Sequence, residues 1–241
     1  MSEPILSVVE VSKHFGGLFA VDSVSCDVQA GSVVGLMGPN GAGKTTLLNV
    51  IAGVYKPTSG VVKFKGRDIE GLPPHKICHL GIARTYQIPQ PFVNLTAAEN
   101  IMVAARYARG LGKADAEDEA VKLLDMVALS DKKDTPTKTL EAVTLKRLEL
   151  ARALATEPEL ILLDEVAAGL TEEEIPLILD IMKKVNQMGV TILLIEHVMK
   201  VMTAAVDRIM VMDKGAIIAD GTPDQVMHDK KVIEAYLGGV A

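Results

Sequence analysis

The sequence predicts an α/β fold built around one phosphate-binding loop, with a helical lobe inserted into it. Three observations carry that expectation. The stretch GPNGAGKTT, from Gly38 to Thr46, fits the pattern G-x-x-x-x-G-K-[ST]. It stands between residues 32–37, an apolar run that reads as a buried strand, and residues 46–52, which read as a helix. Further on, ELILLDE (159–165) and VTILLIEH (190–197) each read as a central strand with polar residues at its C-terminal tip, whereas residues 88–156 are almost wholly helical in pattern.

The loop accounts for its own residue types. Gly38, Pro39, Asn40, Gly41, Ala42, Gly43, Lys44, Thr45 and Thr46 form a cradle. Its glycines let the backbone curl until successive N–H groups point inward at a helix start, which makes an anion nest. Lys44 reaches the outer phosphates, and the Thr45 hydroxyl suits Mg²⁺. The ligand this chemistry fits is a nucleoside triphosphate with its magnesium ion.

Ahead of the loop, residues 5–11 and 21–28 alternate as strands. Between them Lys13 to Gly17 is predicted as a short loop. Spacing alone leaves its Phe15 between two roles, stacking on an adenine ring or packing in the core, with Val21 placed beside the ribose. After the first helix come a turn at 56–60 and a half-buried strand at 61–64. Residues 82–86 are predicted as a strand that delivers Gln87 to the metal shell and the γ-phosphate. Two prolines then break regular structure, and the capping box Thr96–Glu99 starts helices expected at 97–108, 114–128 and 145–155.

The core, residues 1–87 and 157–241, resumes at the acid-tipped strand. Asp164 is expected to hold Mg²⁺ through water, and Glu165 to orient or deprotonate the attacking water. A second capping box, Thr171–Glu174, opens a helix to Gln187 whose first turns Pro176 disturbs. His197, at the tip of a core strand, reads as a γ-phosphate contact against the plainer structural role of most single histidines. The remainder is strand (207–212), turn, strand (216–219) and a helix capped by Thr222 with Pro223 behind it.

Composition bounds the function. The 241 residues are 49% apolar but only 3% aromatic, without Trp, so aliphatic side chains pack the core. A net charge of −6 speaks against a general nucleic-acid surface. Cys26 and Cys78 lack metal-ligand spacing and are expected to be reduced thiols of a cytosolic chain. No apolar run approaches the ~20 residues of a membrane helix, and MSEPILSVVEV is not a signal peptide, so any membrane association is expected through a partner.

Taken in order, Phe15, GPNGAGKT, Gln87, the helical lobe, LILLDE and His197 resemble the nucleotide-binding subunit of an ATP-binding-cassette (ABC) transporter. FGGLFAVDSVS, VDRIMVMDKGAIIADGTPDQV and VIEAYLG are similar, more narrowly, to the ATPase subunits of branched-chain amino-acid importers. The resemblance implies a P-loop NTPase fold with an antiparallel β subdomain and a helical subdomain at 88–156. It implies ATP hydrolysis at the cytoplasmic side of a membrane, with permease subunits and a second cassette as partners. On it, Phe15 is the adenine-stacking aromatic, Lys44 the phosphate lysine, Thr45 and Gln87 magnesium ligands, Glu165 the catalytic carboxylate and His197 the switch histidine.

The family sandwiches each ATP between one phosphate loop and the other subunit's signature, usually Leu-Ser-Gly-Gly-Gln. Here that place reads Leu140-Glu141-Ala142-Val143-Thr144. Glu141 is repelled by a triphosphate, and Val143 cannot take a glycine-only conformation cheaply. A heterodimer with a partner of unaltered signature is therefore favoured over a homodimer. Otherwise the loop is refolded, with Thr144 capping the next helix and Glu141 turned to solvent or toward the N-terminal end of that helix. Alternatives to an amino-acid importer are the ATPase of a lipid or lipopolysaccharide exporter, a non-transport ABC protein, and a hydrolytically weak partner cassette.

Overall fold

The structure, a computed structural model describing residues 3–237, opens on a hairpin of β1 (Leu6–Phe15) and β2 (Leu18–Val28) that turns at Gly16 and Gly17. β3 (Val33–Met37) leads through the phosphate loop into α1 (Lys44–Ile51). β4 (Ser59–Phe64) and β5 (Arg67–Asp68) join the hairpin in a four-stranded sheet of order β2-β1-β4-β5, antiparallel throughout. α2 (Pro74–His79) precedes β6 (Ile82–Arg84). Three helices follow and pack on one another: α3 (Ala97–Arg109), α4 (Lys113–Met126) and α5 (Ala142–Leu154). The chain returns as β7 (Leu160–Asp164), α6 (Ile175–Gln187), β8 (Thr191–Ile195), α7 (Met199–Ala205), β9 (Arg208–Asp213) and β10 (Ala216–Gly221). It closes with α8 (Pro223–Met227) and α9 (Lys230–Leu237).

The second sheet has the order β10-β9-β3-β8-β7-β6, with β10 antiparallel to β9 and the other five strands parallel. Its central strands are buried on both faces, and their two-residue period sorts their side chains into two cores. Val34, Leu36, Leu160, Leu162, Leu193, Ile195, Met210 and Met212 pack with α1 and the antiparallel sheet. Their neighbours Val33, Met37, Ile161, Leu163, Ile192, Leu194, Ile209 and Val211 pack on the other face with α5, α6, α7 and the helical lobe. The parallel strands therefore end together at one edge, and the loops leaving β3, β7 and β8 bring their polar residues to it.

Several elements differ from expectation. The hairpin strands run further than alternation indicated, so Phe15 ends β1, paired with Leu18, instead of lying in a loop. Strand β6 stops at Arg84, although Thr85 N–H still donates to the Leu162 carbonyl at 2.9 Å. Helix α5 starts at Ala142, three residues earlier than its apolar pattern suggested. Thr96 and Thr222 form complete capping boxes. At Thr171 the Glu174 carboxylate takes both the backbone N–H (2.8 Å) and the hydroxyl (3.1 Å), and the helix begins only at Ile175 with Pro176 in its first turn. Met1, Ser2 and Gly238, which belong to stretches used in the sequence reading, lie outside the described residues.

Candidate nucleotide site

Lys44 is the first residue of α1, and Gly43 before it is left-handed (φ 102°). A Cβ on Gly43 would lie 2.1 Å from the Ala20 carbonyl oxygen, and one on Gly38 (φ 143°) would lie 2.0 Å from that of Met212. Only glycine meets both conditions, conformation and close approach. The first helical bond runs from Leu47 N–H to the Gly43 carbonyl at 2.9 Å, so the amides of Lys44, Thr45 and Thr46 have no intrahelical acceptor and form the anion nest.

This loop floors a cleft of about 400 Å³. Asn40 to Thr46 line its base; Phe15, Leu18, Phe19 and Ala20 of the hairpin form one wall; and Gln87, Glu165 and His197 form the other. Phe15 is 43% exposed and meets Tyr55 edge-on at 5.2 Å, so the hairpin extension turns its ring outward, away from the core. Val21 is a correction. It is fully buried, facing inward from β2 among the core side chains, and Ala20 takes its place on the cleft wall. Gly38 and Pro39 lie behind the floor; their carbonyls accept from the Lys44 ammonium at 2.7 and 3.0 Å. Burial pulls the Lys44 pKa down, and Glu165 and Asp164 oppose that.

The opposite wall is built on strain. β7 ends at Asp164, and Glu165 adopts a left-handed backbone (φ 53°) that is costly for a side-chain-bearing residue. Its N–H donates to the Ile195 carbonyl at 2.9 Å, and Lys146 of α5 donates to its carbonyl at 2.8 Å and to that of Ala168 at 2.6 Å. The turn delivers the carboxylate to the cleft, where Gln87 Nε2 donates to Oε2 at 2.7 Å and His197 Nε2 lies 3.1 Å from Oε1. Gln87 stands on the loop beyond β6, not at a strand end.

Asp164 lies outside the cleft lining and is 2% exposed. Burial pushes its pKa up, and Arg84, 3.2 Å from Oδ2, opposes the shift. Its Oδ1 is buried without a hydrogen-bond partner. Among the described residues no group of three or more His, Cys, Asp or Glu side chains gathers as a metal site. The oxygens of Thr45, Gln87 and Asp164 are instead a hard donor set of the kind magnesium takes alongside phosphate and water, and the orphaned carboxylate oxygen fits that need.

Two acids went unread in the sequence. Glu196 is fully buried; it accepts from Ala167 N–H at 2.6 Å and His197 N–H at 3.2 Å, bracing the loops that carry Glu165 and His197. Burial raises its pKa, and those amides hold it back. Its only signal was an acid next to His197 at the end of an apolar run. Glu149 faces inward from α5, and its carboxylate takes backbone N–H groups of Tyr86 and Gln90, on either side of Gln87. Arg152, one turn on, donates to the Gln90 carbonyl at 2.7 Å.

Burial lifts the Glu149 carboxyl to about 7, from 4.5. The folded state therefore holds this proton more tightly than the unfolded chain does. The resulting stability is fully present below about pH 4.5 and is lost as pH rises through about 7. Glu149→Gln is expected to remove that pH dependence and stabilise the protein at pH 8 by on the order of 3 kcal/mol. Melting curves at pH 5.5 and 8 check this; equal slopes for both proteins would show that Glu149 does not carry the effect.

The signature segment is helical. Glu141 is the exposed N-cap of α5 (φ −71°, ψ 158°), without a side-chain capping bond, and Ala142, Val143 and Thr144 form the first turn. Val143 has no left-handed backbone to strain it, and Thr144 lies inside the helix instead of capping it, because the chain enters the helix three residues sooner.

The ABC transporter family profile matches residues 21–168, and that of the branched-chain amino acid ATP-binding cassette transporters matches residues 216–241. The chain is 41% identical to the high-affinity branched-chain amino acid transport ATP-binding protein BraF of Pseudomonas aeruginosa, and 38% identical to LivG of Escherichia coli, with 99% of each chain covered. It is 36% identical to a probable LivG of Archaeoglobus fulgidus, over 97% of this chain and 95% of that one. Among solved structures, an ATP-binding cassette of an ABC transporter superposes with a TM-score of 0.89 at 33% identity, covering 98% and 99% of the two chains. Its ADP conformation gives 0.85 at the same identity, over 98% and 100%. A cassette bound to ADP and phosphate gives 0.83 at 26% identity, over 90% and 98%. A nucleotide cleft, a P-loop NTPase sheet and full-length kinship agree: the chain belongs to the ABC transporter family, as a nucleotide-binding ATPase cassette.

Proposed function

We propose that this cassette drives the import of branched-chain or related amino acids, docked through permease subunits on the cytoplasmic face of a membrane. The observation that carries the reading is kinship across essentially the whole length to proteins named for branched-chain amino acid transport. Among the described residues no helix is long and apolar enough to cross a membrane, so passage of the cargo falls to partner subunits.

In this reading, Phe15 stacks on the adenine, and the amides of the phosphate loop with the Lys44 ammonium hold the phosphates. Thr45, Gln87 and Asp164 hold a magnesium ion, which when bound neutralises phosphate charge. Glu165 orients the attacking water and accepts its proton. His197 and Gln87, which both touch the Glu165 carboxylate, keep it aimed and report on the γ-phosphate. The cassette acts as one half of a head-to-tail pair and prefers a partner with an unaltered signature. The exposed Glu141 is the observation behind a second reading, in which the half-site it lends is hydrolytically weak.

Phe92, beyond Gln87, is half exposed and lines a largely apolar groove of about 660 Å³ with Leu95, Val103, Tyr107 and His79. Arg152 lies 5.2 Å from its ring centroid. This groove receives the permease, and residues 87–94 couple it to nucleotide. Phe92→Ala is expected to weaken permease association roughly 30-fold, as loss of a central aromatic anchor does, and to abolish stimulation of ATPase activity by transport. In proteoliposomes with permease and binding protein, leucine should stimulate turnover. No stimulation by any branched-chain amino acid would overturn the cargo, and intact coupling in the variant would overturn the groove.

A further inference from the structure

Arg84 ends β6 and turns its side chain away from solvent, leaving it 7% exposed. Nη1 donates to Asn49 Oδ1 on α1 at 2.5 Å, and Nη2 donates to Asp164 Oδ2 on β7 at 3.2 Å. The guanidinium carbon lies 4.9 Å from the ring centroid of Tyr86, the residue before Gln87. One planar fork thus joins the helix that leaves the phosphate loop, the acid-tipped strand and the base of the Gln87 loop. A buried ion pair adds little stability over apolar side chains of equal volume, so packing alone does not account for a charge here. What the pair does is selective. It occupies one Asp164 oxygen and leaves the other, Oδ1, buried and unpartnered.

We propose that Arg84 is a positioning residue for the magnesium end of the site: its fork turns the Asp164 carboxylate so that Oδ1 is left for a metal-bound water, and it holds α1 against β7. The proposal rests on the reading of Asp164 as the metal-side carboxylate. A lysine cannot do the same work, because a single ammonium lacks the two parallel donors needed to span Asn49 and Asp164.

The test uses the full chain and a fluorescent ATP analogue, with binding measured in EDTA and across a magnesium titration, alongside melting temperature. In EDTA, Arg84→Gln and Arg84→Lys should bind the analogue as wild type does. The magnesium concentration for half-maximal binding should rise roughly tenfold or more in Arg84→Gln, the size of one lost charge-assisted hydrogen bond, and less in Arg84→Lys. Turnover measured beside it should lose kcat with little change in KM. If Arg84→Gln keeps the wild-type magnesium midpoint while Asp164→Asn shifts it, the role of Arg84 is overturned and that of Asp164 stands. If Asp164→Asn also leaves the midpoint alone, the reading beneath the proposal fails. Should Arg84→Gln not fold, Asn49→Leu removes only the second anchor. It must then shift the midpoint in the same direction, and an unchanged midpoint there overturns the proposal.

Discussion

Glu165→Gln is expected to bind ATP normally and to lose about 10²–10⁴ in turnover, the usual consequence of removing a water-orienting base. The geometry explains why so small a change matters. Both carboxylate oxygens are engaged, Oε2 by the Gln87 amide at 2.7 Å and Oε1 by His197 Nε2 at 3.1 Å. A glutamine keeps one acceptor, for the Gln87 amide, but turns an NH₂ toward His197. The imidazole can meet it only through an unprotonated Nε2, so it must change its protonation or tautomer as the base is lost. The neutral side chain also removes a negative charge from beside the phosphates, so the ATP-bound pair should persist longer. Single-turnover hydrolysis with the partner site silenced is the measurement, and wild-type turnover in the variant would remove Glu165 from the chemistry.

The second large effect concerns the half-site lent to a partner. A head-to-tail homodimer would present Glu141 to the phosphates in both sites. There the serine hydroxyl of a usual signature would be absent, and each lost charge-assisted bond is worth ~1.5–3 kcal/mol. Replacing Glu141-Ala142-Val143 by Ser-Gly-Gly is therefore expected to raise the ATPase rate of the isolated chain roughly 10–100-fold. Pairing with a cassette of unaltered signature should restore one site of two. The backbone is no obstacle, since these residues already form the first turn of α5 with an N-terminal end suited to anions. Equal rates for the isolated chain, the mixed pair and the replaced chain would show that Glu141 does not set the asymmetry.

Where one residue type meets one demand, the sequence was legible. The phosphate loop, the acid-tipped strand and the capping boxes at Thr96 and Thr222 each rest on local rules, and each stands where those rules put it. Legibility ended where side chains meet across the fold. Val21 and Ala20 are adjacent and both small, and only the pairing of β1 with β2 decides which faces the cleft. Glu149, Glu196 and Arg84 meet no such local rule: Arg84 reaches Asn49 and Asp164, 35 and 80 residues away, and Glu196 reaches the Ala167 amide, 29 residues away. Helix α5 began early because a cap needs a suitable backbone entry, which Glu141 supplies without a side-chain bond.

The strand order carries a consequence for how the protein is made. β3, which delivers the phosphate loop, is flanked in the sheet by β8 and β9. On a ribosome its five buried residues emerge before either neighbour exists, because both wait until residues 191–213 have been synthesised. The hairpin and the three lobe helices rest on short-range contacts and can form as they appear, whereas pairings this distant in sequence form slowly. The loop that binds nucleotide is thus translated well before the two strands that fix its shape. A nascent chain stalled before β8 would hold an apolar strand open to aggregation and chaperone capture, with no site for ATP to bind.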